Sequence, residues 1–350
     1  MNFSDSVYFI SEHANQDLFH GGIGPVDIEK LLLNNKAIPI RFPYHFDFSI
    51  KAKIARIRYL LRITHTIKAG AVIVFQHPVY ARMNKLLLLM LRLRKTIMIV
   101  CFVADIDGLK DGNNKLLQKE ISFFRRYTYF ILHNPNMKTW LHSFHPPAKC
   151  SLLQCFDFLA PAGRYERSKS NYIVFAGNLN KSLFLEKLHT WLEVNQSLHI
   201  NLYGPYVTDS MLVSRKVTYK GMHHPYALPA LLEGSFGLIW DGDGIEMPTG
   251  SLGHYMHYIS HHKLSLYIVS HLPVIVHENA GSAELVRIYN IGFTVSSLFE
   301  IEDRIKKLAE KDYEEMLHNT YELAKKINSG HCFQNALTEL IKLNRKIKGD

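Results

Sequence analysis

Residues 236–268 read FGLIWDGDGIEMPTGSLGHYMHYISHHKLSLYI, an apolar strand that opens into Asp241, Asp243 and Glu246 and then reaches His262 and Lys263. Three chemistries suit such a set: a calcium loop, a divalent metal holding a nucleotide, and a nucleotide site that works without metal. An EF-hand needs D-x-[DN]-x-[DN]-G and a bidentate Glu at its twelfth position. Counted from Asp241, the fifth residue is Ile245 and the sixth is Glu246, so the calcium loop fails. Asp241 and Asp243, as an Asp-x-Asp pair, are suited to holding a divalent ion against a diphosphate. The third chemistry needs a cation at a helix start, and Lys263 opens the apolar segment HHKLSLYIVSH with Ser265 in its first turn. Helix N–H groups and one ammonium neutralise a diphosphate without an ion. The metal-free reading is favoured, with no metal ligands expected, over a Lys that is merely a solvated charge.

Other candidates also follow apolar runs. YIVFAGNLNKS ends in Gly177 and Asn178 before a helix, where a glycine lets the backbone approach a phosphate. A plain strand-to-helix turn gives the same pattern, and neither G-x-G-x-x-G nor a Walker motif is present. After LPVIV, the turn NAGSAELV places Ser282 and Glu284 in a first turn, either as caps or as nucleotide contacts. In IMIVCFVADIDGLKDG, Asp105 and Asp107 lie just beyond a strand. A carboxylate there acts as a general base toward a sugar hydroxyl or caps the next helix. HGGIGPVDIEK, with Gly24, supplies a flexible wall on the acceptor side, and His77 and His133 read as turn residues ahead of prolines.

These positions need a scaffold of strands alternating with helices, the pattern of parallel sheets covered by helices. The first half predicts strands at Val7–Ile10, Ala37–Arg41, Ala71–Phe75, Thr96–Phe102, Tyr127–Leu132 and Cys150–Leu153, with helices near 26–34, 51–67, 80–93, 113–124 and 136–143. The second predicts Tyr172–Ala176, His199–Tyr203, Lys216–Tyr219, Phe236–Trp240, Pro273–Val276 and Gly292–Val295, with helices near 182–194, 226–233, 261–270 and 281–289. Residues 299–348 read as helical with one break at Ser329-Gly330. The expected α/β architecture is two doubly wound, Rossmann-like domains, 1–158 and 171–330, joined by an aperiodic linker at 159–170 and followed by a C-terminal helix at 331–350. Ligands of such sheets lie beyond the carboxyl ends of the strands, so two facing sheets share one cleft.

Composition narrows the partners. At 350 residues the chain is long enough for two domains of roughly 150 residues. Its 41 Lys and Arg against 31 Asp and Glu favour anionic partners. Cys101, Cys150, Cys155 and Cys332 lack C-x-x-C spacing and read as reduced thiols, and the His pairs 223–224 and 261–262 lack metal-ligand spacing. The N-terminus lacks a signal-peptide pattern, and the apolar run Leu86–Leu93 falls far short of the ~20 residues that span a bilayer. A cytoplasmic protein is expected. SIKAKIARIRYLLRITHTIK and YARMNKLLLLMLRLRKT are basic and amphipathic, which suits either the inner face of an anionic membrane or packing on a sheet with a basic outer face. No nucleic-acid recognition module is present, and the sequence leaves the oligomeric state open.

The order of helix, LPVIV and NAGSAE resembles GT-B glycosyltransferases. FGLIWDGDGIE, TGSLGHY, HKLSLYI and IGFTV resemble more closely the bacterial β-1,6-galactofuranosyltransferases and related glucosyltransferases acting on adhesins; ADIDGLKDG, LHNPNM and FAGNL match in the same order. The resemblance implies a metal-independent transferase with no cofactor, moving a hexosyl group, galactofuranosyl favoured, from a UDP-sugar to a glycan acceptor that is free or lipid-linked, in O-antigen or capsule synthesis. It also implies that Gly177 and Asn178 face the diphosphate-sugar, that Asp241 and Lys263 line the donor pocket, and that Asp105 and Asp107 lie on the acceptor side. The family's Asn-Asn-Pro-His-Lys stands here as Ile259-Ser260-His261-His262-Lys263, and the wider group's ribose-gripping Glu is replaced by Leu266. Ribose recognition therefore falls to Glu246 or Glu284.

Overall fold

The computed structural model describes residues 6–13, 23–43, 47–161, 163 and 165–348; His20, Gly21 and Gly22 of the glycine loop lie outside them. The first sheet contains β1 (Val7–Ile10), β2 (Ile38–Ile40), β3 (Val72–His77), β4 (Met98–Val103), β5 (Tyr129–Leu132) and β6 (Lys149–Leu152). Its order is β2-β1-β3-β4-β5-β6, and every pair is parallel. The second contains β7 (Tyr172–Ala176), β8 (His199–Tyr203), β9 (Val217–Tyr219), β10 (Phe236–Ile239), β11 (Val274–His277) and β12 (Gly292–Val295), in the order β12-β11-β10-β7-β8-β9, again all parallel. Two doubly wound sheets are what the alternation predicted. Helices cover both faces, so β3 and β4 are buried at every position and read as unbroken apolar runs. The order reverses between β1 and β3 and between β7 and β10, the switch points where such sheets open a crevice.

Helix boundaries differ more than strand boundaries. The segment 182–194 begins as two 3₁₀ turns, Leu179–Lys181 and Leu183–Lys187, before an α-helix at Leu188–Val194. The segment 226–233 shrinks to Leu228–Leu231. The C-terminal stretch breaks twice, giving helices Ile301–Lys307, Glu310–Asn328 and His331–Lys348. Short helices at Asp107–Lys110 and Gly250–Tyr255 carry no periodic pattern and were not expected. Among the described residues, no helix is long and apolar enough to cross a membrane.

The last helix returns to the first sheet. Phe333, Ala336, Leu337 and Leu340 are buried against Val7, Phe9, Phe102 and Ile131. The Asp157 carboxylate, at the end of the first lobe, accepts the N–H groups of Cys332 and Phe333 at 3.0 and 2.8 Å, which caps that helix.

A hydrogen-bonded seam joins the lobes. His133, after β5, accepts the Ser260 N–H on Nδ1 at 3.2 Å, so its proton is on Nε2, which donates to Val103 O at 2.7 Å. Asn134 Nδ2 donates to Tyr258 O at 3.0 Å, and Ser265 Oγ donates to Phe156 O at 2.6 Å. Burial pushes the His133 imidazole down to about 4.

Inside the second lobe, Gly237 of β10 provides the recess for Tyr267. A Cβ at Gly237 would lie 2.2 Å from that ring, and the Tyr267 hydroxyl accepts the Ala176 N–H at 2.8 Å. The recess thus draws the helix His262–Val269 onto the sheet and fixes the end of β7.

Two outcomes follow. Gly237→Ala overpacks the recess and lowers stability by about 1–3 kcal/mol, read as a shift in the denaturant midpoint at constant slope. For His133 the depressed value means that stability present above pH ~6.5 is lost as pH falls toward about 4, because the unfolded chain takes up a proton that the folded one refuses. The Tm of the native chain falls across this window, and that of His133→Gln, lower at the outset, falls less.

Candidate functional site

Asp241 follows β10 at the switch point, and Lys263 is the second residue of the helix His262–Val269. Lys263 Nζ donates to Asp241 Oδ1 at 2.6 Å and to Trp240 O at 3.3 Å, and lies 4.2 Å from the centre of the Phe175 ring. Ser182 Oγ donates to the same Asp241 oxygen at 2.6 Å, while His261 Nε2 is 3.1 Å from Oδ2. Burial alone would raise the Asp241 carboxyl, but the Lys263 charge and the His261 contact outweigh it and hold the group well below the usual carboxylate range. The ammonium is therefore not a lone cation. It is held by a carboxylate, with one of its three N–H donors left for a ligand.

Beside this pair lies a cavity of about 340 Å³, within the range of small-ligand sites. Gly177, Asn178, Gly204, His261, His262 and Lys263 line its polar side, and Tyr203, Pro205, Met222 and Leu228 line its apolar end. Gly177 and Gly204 end adjacent strands and touch, since a Cβ on Gly204 would sit 1.8 Å from Gly177 O. A Cβ on Gly177 would lie 3.1 Å from Lys263 Cε, so a bare backbone there leaves the ammonium its position. The Asn178 side chain accepts the Asn180 N–H at 3.1 Å and caps the first 3₁₀ turn.

Gly24 belongs to this site in a different sense from that expected. A Cβ there would lie 2.0 Å from His262 Nε2, so Gly24 is the recess through which the first lobe admits the His262 ring. That ring packs on Phe156 with centroids 3.9 Å apart, and burial, with His133 nearby, pushes it down to about 3. The Nδ1 atoms of His261 and His262 are buried without a partner among the described residues.

The structure separates several residues grouped by sequence. The Ser265 hydroxyl is turned into the core and committed to Phe156, because residues 264–269 of its helix are buried on all sides. Asp243 receives Lys187 Nζ on its main-chain oxygen at 2.8 Å, and its carboxylate lies against Gly250. Glu246 is exposed in the loop after β10, outside the cavity lining. Glu284 lines a different cleft of about 190 Å³ with His133 and Asn134, and the Ser282 hydroxyl is buried without a partner. Among the described residues no group of three or more His, Cys, Asp or Glu side chains is placed to hold a metal ion.

On the facing lobe, Asp105 and Asp107 follow β4. Lys110 Nζ lies 2.5 Å from Asp105 and 2.6 Å from Asp107. The Tyr255 hydroxyl, from the second lobe, donates to Asp105 Oδ1 at 2.5 Å and accepts the Ile106 N–H at 2.7 Å. Tyr80 donates to Asp107 Oδ2 at 2.6 Å. Buried Glu120 accepts the N–H groups of Asp107 and Gly108 at 3.0 and 2.7 Å and holds the start of the short helix. Burial raises the Asp107 carboxyl, but Lys110 and Tyr80 outweigh it and leave it lowered. Asp105 is the more open of the two, 33% exposed against 15%. Lys110, three and five residues on, was readable from spacing; Tyr255, Tyr80, Glu120 and Ser182 meet the site only through tertiary contacts.

Two models of one family match the chain: the glucosyltransferase 3-like N-terminal domain over residues 8–150 and the glucosyltransferase 3-like C-terminal domain over 173–340. The chain is 28% identical to the β-1,6-galactofuranosyltransferase WbbI of Escherichia coli K12 over 253 residues, 69% of this chain and 71% of that protein. It is 24% identical to glucosyltransferase 3 of Streptococcus parasanguinis, over 79% of this chain and 80% of the relative. Sucrose-phosphate synthase of Thermosynechococcus elongatus superposes with a TM-score of 0.61 at 11% identity, covering 98% of this chain and 99% of the other. Anabaena HepE in complex with UDP gives 0.59 at 12%, covering 96% and 99%. These structural likenesses establish the fold, GT-B. The chain is a glycosyltransferase and belongs to the glucosyltransferase 3-like family.

Proposed function

We propose that the chain transfers a hexosyl group, galactofuranosyl favoured, from a UDP-sugar to a glycan acceptor in cytoplasmic synthesis of a cell-surface polysaccharide, without a metal. The observation that carries this reading is the placement of Lys263 and its helix start beside the 340 Å³ cavity, across from the Asp105 carboxylate of the other lobe. In this account the diphosphate lies against Gly177, Gly204 and the helix N–H groups, where Lys263 offers its remaining donor. The apolar end at Pro205, Met222 and Leu228 takes the nucleobase. The galactofuranosyl transfer of WbbI and the UDP bound to Anabaena HepE support a UDP-sugar; the streptococcal glucosyltransferases favour glucose as the second choice of donor.

Transfer from an α-linked donor to a β-linked product inverts the anomeric carbon. The acceptor oxygen bonds to that carbon as its proton passes to Asp105, and the bond to UDP breaks with its electron pair on the phosphate oxygen. Lys263 and the helix N-terminus stabilise that charge. Asp105 is preferred as base because its carboxylate is the more open to the cleft, 33% exposed against 15% for Asp107. Asp241 fixes Lys263 rather than a metal, which is the reason for expecting metal independence.

Incubation with UDP-galactofuranose, UDP-glucose and other UDP-hexoses, following UDP release, is expected to give fastest turnover with UDP-galactofuranose and no loss on adding EDTA. Release abolished by EDTA contradicts the metal-free site, and absence of release with every donor contradicts transfer. Lys263→Ala is expected to lower kcat/KM about 10²–10³-fold together with UDP affinity. Asp105→Asn is expected to lower kcat about 10²–10⁴-fold while UDP affinity is retained. Near-native turnover in both variants removes the assigned roles.

A further inference from the structure

The chain's positive charge is concentrated in one segment. Residues 48–104 contain eleven Lys and Arg and no Asp or Glu; the rest of the chain has 30 bases against 31 acids. The segment supplies the helices Ile50–Thr66 and Arg82–Leu91, which pack together on one side of the first sheet. Leu60, Leu87, Leu88 and Leu91 anchor both in the same core. Each helix has a second apolar stripe facing out. On the first it runs through Ile54, Ile57 and Leu61, and on the second through Leu86 and Leu89, at spacings of three and four that keep each set on one face, with exposed Leu93 in the turn that follows the second helix. Nine of the 23 large apolar side chains exposed among the described residues fall between 48 and 93; Leu93 is 84% exposed and Phe48 75%. Exposed apolar residues scattered singly need no explanation, but a contiguous face does.

We infer that this face docks on an anionic lipid bilayer. The apolar stripes enter the boundary between headgroups and acyl chains, and the surrounding bases, among them Lys51, Arg58, Arg62, Lys85 and Arg92, meet the headgroup phosphates. Charge complementarity selects this occupant, because the segment brings eleven bases and no acid of its own to this side of the lobe, where Glu12 and Asp47 at its edge are the nearby acids, and such an excess needs a dense, extended anion. The exposed leucines and isoleucines between the bases need a hydrocarbon partner as well, which a nucleic acid does not supply. Tyr80, 66% exposed between the two helices in sequence, donates to Asp107, so the face adjoins the acceptor side. Delivery of the acceptor from the bilayer rests on the transfer reading above; docking itself does not.

The test is co-sedimentation of the full chain, without substrates, with vesicles of phosphatidylcholine containing phosphatidylglycerol and with vesicles of phosphatidylcholine alone. The chain is expected to pellet with the anionic vesicles only and to be released as salt rises. Leu89→Glu with Leu93→Glu, and separately Arg58→Glu with Arg62→Glu, are each expected to weaken partition by about tenfold or more. Both variants keep native circular dichroism and native UDP release, which separates failure of docking from failure of catalysis. Four results overturn the proposal: a chain that stays in the supernatant with anionic vesicles, variants that pellet like the native chain, tighter binding to duplex DNA than to vesicles at the same salt, or a native oligomer that both variants dissolve without changing vesicle binding.

Discussion

Asp241 and Lys263, 2.6 Å apart at the switch point of the second sheet, set the geometry that the functional reading depends on. A half-buried ammonium beside a phenyl ring is costly unless its charge is answered, and Asp241 answers it. The pair is held from three sides. Ser182 comes from the turn after β7, His261 meets the other Asp241 oxygen from the residue before the helix, and Trp240 contributes its carbonyl. Removing one partner leaves the other charge uncompensated, which is why the arrangement is stiff. An incoming anion finds a cation already oriented, with the order built into the fold and not assembled on binding.

The opposite lobe repeats this logic with the signs exchanged. There a single Lys110 stands between two carboxylates, and Glu120 and Tyr255 fix the backbone that carries them. Tyr255 belongs to the second lobe, so the position of Asp105 depends on how the lobes meet. The seam of His133, Asn134 and Ser265 is thus part of the site's geometry, although none of these side chains needs to touch a substrate. A cleft enzyme whose reacting groups come from two sheets is only as ordered as the contact between them.

Much of this was legible in the chain. β1, β7, β8 and β12 are as predicted, because strands buried on both faces leave apolar runs bounded by turn residues. Lys263 was found because a cation after a Gly-rich loop at a helix start is a local signal. Its pairing with Asp241, 22 residues earlier, was not, since partner choice is set by tertiary contact. Ser265 was assigned to the ligand on first-turn position alone. Its helix is enclosed on every side and has no periodic face, so the direction of a small hydroxyl could not be read from sequence. Gly24 was valued for flexibility, yet its function is the absence of a Cβ against His262, more than two hundred residues away. Glu246 and Glu284 were offered for the ribose by elimination, and the fold leaves both outside the lining of the cavity that Lys263 faces.

The most direct measurement is a crystal structure of the chain with UDP. The account predicts the diphosphate against Gly177 and the first turn of the helix His262–Val269, a phosphate oxygen within hydrogen-bond distance of Lys263 Nζ, and the Asp241–Lys263 contact retained. UDP bound away from this cavity, or joined to Asp241 and Asp243 through a divalent ion, contradicts it.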